Sequence, residues 1–337
     1  MTSPETLELG DIRLQSGEVL VKAAITYATV GSLNPRRDNA IVMPTYYTGQ
    51  HWNYASMIGR GKALDPDRYY IVIPNMFGNG LSSSPSTRSA DASNIPFPRI
   101  SLCDNVLHQA RLVFDHLDVS EVAMVCGWSM GGMQAYQWAS LFPERVKRLL
   151  PFCATARTSN YNLVFLKALE AALRTDCHWH DNRCLSVPEQ GLRAFARVYV
   201  GWAYSEQFFR FGLYRQLGFP TVDALIESWE RDHLGFDAND LMAMLDTWQC
   251  ADISANEMYN GNIEQALRAI RAKTMLVPCD TDRYFSAADN EWEARFIPEC
   301  EVRILDSSFG HCALSPGRVV HGMEFLDLCL ADLLSRP

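Results

Sequence analysis

The chain has no Cys-x-x-Cys pair among its ten cysteines, no uninterrupted apolar run long enough to cross a bilayer, and no excess of basic side chains. Lys and Arg number 30 against 39 Asp and Glu, a formal charge of -9, which argues against a generally basic nucleic-acid surface. The first thirty residues lack the combination of basic start, apolar segment and small-residue cleavage site that marks an export signal. A cytoplasmic chain with reduced cysteines follows as the expectation, with neither a membrane nor a nucleic acid as partner. Cys177, His178, His180 and Cys184 gather in TDCHWHDNRC, but three of the four fall within four residues. That is tighter than the paired spacings of zinc sites, so they read as loop residues, and neither a metal nor a cofactor is expected.

What is present is a large apolar fraction, 48% of 337 residues, enough for an extensive core. EVLVKAAITYATVG, NAIVMPT and KALDPDRYYIVIPNMFG read as strands, and GNGLSSSPSTRSADASNIPFP as a long loop. SLCDNVLHQARLVFDHLDV carries apolar residues at helical spacing, EVAMVCG returns to a strand, GGMQAYQWASLFPERV to a helix and VKRLLPFCA to a strand. This alternation predicts an α/β fold with a mostly parallel central sheet. From about 155 to 270 the patterns are predominantly helical, which suggests a cap. The expected division is therefore a sheet-forming core over 1–154 and 271–337 with a helical insertion at 155–270. KTMLVPCD, VRILDS and a terminal helix from GRVVHGMEFLDLCLADLL complete the core, and no internal repeat is visible.

Between the strand VAMVCG and the following helix stands Gly127-Trp128-Ser129-Met130-Gly131. A Gly-x-Ser-x-Gly turn at that junction holds its serine in a strained backbone conformation at the sheet's carboxyl edge, which points to Ser129 as a nucleophile. Serine needs a base, and the base needs a carboxylate to hold its tautomer. His311 follows the last strand pattern in a loop that can reach the sheet edge, whereas His321 lies in the terminal helix and the other histidines precede the serine or fall in the insertion. Asp280 and Asp282, both just beyond a strand, are candidate acids between which spacing does not choose, with Asp306 a distant third. Negative charge on the attacked oxygen calls for donors at the Met130 amide and at Tyr47 or Tyr46 in PTYYTG. Trp52, Trp128 and Tyr204 are the expected pocket walls, suited to a small acyl substrate.

The stretches LNPRRDNAIV, GRGKALDPDRYYIVIPNMFGNGLSSSPS, GWSMGGMQAYQWASLFPERV, FDAND, DTDRYF and DSSFGHCALSP resemble the homoserine O-acetyltransferase group of α/β-hydrolases. The resemblance implies an α/β-hydrolase fold with a helical cap, Ser129 as nucleophile, Asp282 as acid, His311 as base and a homodimer formed through the cap. It also implies an aspartate directly after the catalytic histidine, holding the amino group of homoserine, and a cap arginine holding its carboxylate. This chain has Cys312 and Ser205 at those places. Buried charges without partners are costly, so homoserine is an unsuitable acceptor unless Arg193, Arg197 or Arg210 supplies the missing charge. The sequence therefore reads as a serine hydrolase cleaving an ester, thioester or amide. The alternatives are an O-acyltransferase moving an acyl group from acyl-CoA to another alcohol, and a non-catalytic binding protein on the same fold.

Overall fold

The structure is a computed structural model that describes residues 3–88, 96–180 and 183–336. Part of the loop expected over 78–98, and two residues of the 175–184 cluster, thus lie outside the described residues. In chain order the strands are β1 (Glu5–Arg13), β2 (Val19–Val30), β3 (Ala40–Val42), β4 (Tyr70–Pro74), β5 (Val122–Trp128), β6 (Arg148–Phe152), β7 (Trp179–His180), β8 (Arg183–Cys184), β9 (Lys273–Leu276) and β10 (Cys300–Val302). Those other than β7 and β8, which form a separate small hairpin, build one sheet in the order β1-β2-β4-β3-β5-β6-β9-β10. Pairing is parallel from β4 through β10 and antiparallel only where β2 meets β1 and β4.

The helices are α1 (Leu102–Ala110), α2 (Met130–Leu141), α3 (Asn160–Arg174), α4 (Glu189–Ala203), α5 (Glu206–Arg210), α6 (Val222–His233), α7 (Ala238–Gln249), α8 (Ile263–Arg268), α9 (Ala287–Ala294) and α10 (Val320–Ser335). Strand alternation sorts the sheet's side chains onto two faces. Ile41, Ile71, Met124 and Met275 join a cluster shared with α10 and with the helices between β6 and β9. Ala40, Val42, Val72, Val125 and Leu276 join the opposite cluster, with Val106 of α1 and Trp138 of α2. α8, expected with the cap, packs into this second cluster through Ile263, Ala266 and Leu267, because its short apolar face matches the sheet side.

Three elements were not legible beforehand: β1, the β7/β8 hairpin and α9. β1 is a Glu-rich edge strand, largely exposed, with register shifts on either side of Gly10 that break its alternation. The strand expected over 302–307 starts earlier, at Cys300, and touches the sheet again only at Leu305, bridged to Cys279. That bridge brings the loops after β9 and β10 side by side at the sheet's carboxyl edge.

Candidate active site

β5 runs into α2 with no intervening loop, and Ser129 sits at the corner with φ 55° and ψ -127°. A non-glycine residue in this region is strained, and the surroundings impose it. A side chain on Gly127 would meet the Gly131 carbonyl carbon at 2.5 Å, one on Gly132 would meet the Ala154 Cβ at 2.5 Å, and one on Gly131 would collide with the Pro44 carbonyl. Only glycine permits so close an approach of helix to sheet. The Ser129 amide is spent on the Phe152 carbonyl at 3.0 Å, so it is not a donor to substrate. Met130 opens α2, where the first amides have no intrahelical acceptor.

The loop after β3 is locked to this corner by a buried hydroxyl and by Gln134 of α2, whose Nε2 donates to the Thr45 carbonyl at 2.7 Å. Tyr54 Oη donates to the Pro44 carbonyl at 3.1 Å and accepts the Trp128 amide at 3.2 Å. Tyr46 and Tyr47 follow Pro44, with Gly49 N–H returning to the Tyr46 carbonyl at 2.8 Å. The Tyr47 side chain is anchored away from the turn, its hydroxyl on the Leu241 carbonyl at 3.2 Å.

On the facing loop, Asp282 Oδ2 accepts from His311 Nδ1 at 2.7 Å, with both residues buried. Asp282 Oδ1 is held by the Tyr284 and Phe285 amides at 2.8 and 3.2 Å, which fixes the carboxylate's direction. Asp280, the alternative acid, instead accepts the Ser307 amide at 3.0 Å and so ties the two loops together. Thr281 adds to that tie through the Ser307 carbonyl and the Gly310 amide, the latter at 3.2 Å. Asp306 is exposed. The His311 ring stacks on Trp128 at 4.7 Å between centroids and lies 4.6 Å from Tyr284, so its plane as well as its tautomer is set. Behind the acid, burial and the Asp282 charge push the Cys153 thiol well above the ordinary range. Cys153, Asp282 and His311 lie close enough to share a metal, but the carboxylate's two oxygens and the imidazole Nδ1 are committed to the contacts just given.

Ser129 and His311 line one cavity of about 640 Å³, also lined by Tyr199 of α4, Trp229 and His233 of α6 and Phe236 of the turn that follows α6. Tyr46, Tyr47 and Trp128 are in its wall. Two expected wall residues are not. Trp52 is 50% exposed, its ring against His51, because the short helix it occupies turns that position outward. Tyr204 is buried behind the wall, stacked on Phe208 at 4.0 Å, with its hydroxyl accepting from Arg318 at 2.8 Å. The cap-side contributors Trp229, His233 and Phe236 were missed, since their spacing reads as ordinary core.

The three arginines named from the sequence as possible charges for homoserine are committed elsewhere. Arg193 and Arg197 both pair with Glu230, the first at 2.9 Å, and Arg210 pairs with Glu206 on its own helix. Ser205 caps α5 and donates to the Ser308 carbonyl at 2.6 Å. In the 175–184 cluster, Asp176 accepts from His178 Nδ1 at 2.9 Å and from the Gly191 amide at 2.8 Å, a loop-to-helix tie.

Residues 41–315 match the family described as alpha/beta hydrolase fold. The ethyl acetate hydrolase of Pseudomonas veronii is 33% identical, over 99% of this chain and 96% of that protein. A homoserine O-acetyltransferase of Trichormus variabilis is 31% identical, over 89% of this chain and 86% of its own. Among solved structures, the acetyl esterase MekB superposes with a TM-score of 0.95 at 33% identity, covering 99% of this chain and 97% of that one. The likeness thus runs to both esterases and acetyltransferases, with the esterases higher in identity and coverage.

Proposed function

The chain belongs to the α/β-hydrolase family, and from that premise we propose that it is a serine esterase cleaving short-chain acyl esters, acetyl esters first among them, through an acyl-Ser129 intermediate. The observation that carries the reading is the shared cavity: Ser129 at the strained corner and an imidazole whose Nδ1 is held 2.7 Å from a buried carboxylate open onto the same space. His311 Nδ1–H donates to Asp282, which leaves Nε2 unprotonated to take the Ser129 proton. Oγ attacks the carbonyl carbon, and the oxyanion is received by the amides of Met130 and Tyr47, Tyr46 being the alternative second donor. His311 then protonates the leaving alcohol. A water deprotonated by the same nitrogen releases the acid and restores Ser129.

Hydrolysis is favoured over transfer by the neutral Cys312, which leaves the ammonium group of an amino-acid acceptor without a carboxylate beside the histidine. The likeness to an ethyl acetate hydrolase supports the acetyl preference. The protein is further read as a homodimer through the cap, whose Tyr161, Val164 and Phe211 are exposed. The test is steady-state hydrolysis of p-nitrophenyl acetate and ethyl acetate by the wild type and by Ser129→Ala, His311→Ala and Asp282→Asn. Each variant is expected to lose roughly 10³-fold or more in kcat with its fold intact by circular dichroism. Retention of wild-type turnover by Ser129→Ala would refute the reading.

A further inference from the structure

Two charged side chains in the cavity wall, Arg318 and Asp232, have no use in the mechanism above. Arg318 stands at the end of the turn that follows His311, its amide on the Ser315 carbonyl at 3.1 Å. Its Nη1 donates to Tyr204 Oη at 2.8 Å, and its guanidinium carbon lies 5.9 Å from the centre of the Trp229 ring. It lines the same cavity as Ser129 and His311. Among the described residues no carboxylate forms an ion pair with it. Asp232, which lines the same cavity, acts on it electrostatically without closing to contact, and is itself largely exposed.

Cys312 is the other neighbour. Burial pushes its thiol above the ordinary range, so it stays neutral and does not cancel the guanidinium. With a neutral thiol there and Asp232 held out of contact, the guanidinium is accessible from the substrate space, and a cation so placed favours an anionic ligand. Arg has five N–H donors in a planar fork; Tyr204 takes one and the Cys312 thiol is hydrogen-bonded to the same group, and the remaining donors suit a carboxylate. Tyr204 and Trp229 hold the fork on two sides, so little side-chain freedom remains to be lost on binding. The position fixes which half of the ester is addressed. Arg318 adjoins Cys312, next to the imidazole that protonates the departing oxygen, so it stands on the leaving-group side.

We propose that Arg318 binds a carboxylate carried by the alcohol portion of the substrate, so that the preferred esters are short-chain O-acyl derivatives of hydroxy acids. This rests on the ester-hydrolysis reading. A matched pair tests it: 3-acetoxypropanoate, an anion, against 3-acetoxypropanamide, its neutral counterpart. The wild type is expected to favour the anion by about tenfold or more in kcat/KM, mainly through KM, and Arg318→Met to bring that ratio to about one. Arg318→Gln, which keeps a donor for Tyr204, is expected to do the same and serves if the Met variant does not fold. A wild type that treats the pair alike, or variants that keep the preference, would overturn the proposal. Calorimetric titration of Ser129→Ala with 3-acetoxypropanoate reads binding without turnover, and so separates this inference from the hydrolytic one. Addition of Arg318→Met, or of Arg318→Gln in its place, is expected to weaken that binding about tenfold or more; no binding, or binding indifferent to the substitution, would contradict it.

Discussion

At the scale of the residue, Ser129 shows how much local strain the site carries. Its left-handed backbone is imposed by neighbours on both sides, and glycine would adopt it without penalty. Ser129→Gly is therefore expected to abolish hydrolysis while raising the unfolding free energy by about 1 kcal/mol, read by urea denaturation. Unchanged or lower stability would mean that the corner is not strained. Glu293 offers a pH test away from the site. It is fully buried, accepting Tyr136 Oη at 2.7 Å, the Ala156 amide at 2.7 Å and Asn290 Nδ2 at 2.9 Å, yet burial outweighs these bonds and pushes its carboxyl up to about 7. A carboxyl whose folded pKa is raised binds its proton more tightly when folded. Its contribution is thus intact below the unfolded pKa of about 4.5 and is lost as pH rises toward 7. Glu293→Gln removes that loss. Its stability relative to wild type is expected to rise by an amount on the order of 3 kcal/mol between pH 4.5 and 7.5, on top of a pH-independent offset. Parallel stability curves for the two proteins would contradict this.

At the scale of the element, the site depends on how two loops and one helix are joined. Tyr54 is the joint between the loop bearing Tyr46 and Tyr47 and the corner bearing Ser129. Tyr54→Phe leaves the Pro44 carbonyl and the Trp128 amide without that partner in a buried place. The expected cost is about 1–3 kcal/mol in stability. A fall in kcat of roughly tenfold to a hundredfold with little change in KM should accompany it, because the oxyanion donors lose their registration. A change confined to KM would show that the clamp shapes binding instead.

The same scale explains what could be read from the sequence. Ser129 and His311 were legible because Gly127 and Gly131 fence one and a strand-to-loop pattern precedes the other. Asp280 and Asp282 could not be separated by spacing. They are two residues apart in one turn, and only the Tyr284 and Phe285 amides, which fold back onto Asp282, turn that carboxylate toward His311. Arg318 was invisible for a related reason. In SPGR it looks like a solvated turn residue, and the role proposed for it depends on Tyr204 and Trp229, which arrive from about 90 to 115 residues upstream. β1 escaped because an edge strand rich in glutamate carries little apolar alternation.

At the scale of the whole molecule, the cap converts an exposed corner into an enclosed one. Tyr199, Trp229 and Phe236 belong to elements between β6 and β9, yet they face Ser129 and His311 across about 640 Å³. In the proposed esterase, the loops at the sheet edge would supply the reacting groups, and residues between β6 and β9 much of the wall that meets the substrate. Trp229→Ala is expected to raise KM for p-nitrophenyl acetate several-fold with a smaller effect on kcat, since a cap wall residue contributes to ground and transition states alike. A loss confined to kcat would assign Trp229 to the chemistry instead.

The account stands on Ser129 receiving the acyl group and giving it to water. Mixing the protein with p-nitrophenyl acetate in buffer free of any added alcohol, quenching in acid at short times and mapping peptides by mass spectrometry reads both halves at once. The predicted result is an acetyl group on the peptide containing Ser129 that appears within a turnover and is discharged as acetate, repeatedly. An acetyl group found on another residue, or one that persists on Ser129 until an acceptor alcohol is supplied, would contradict it.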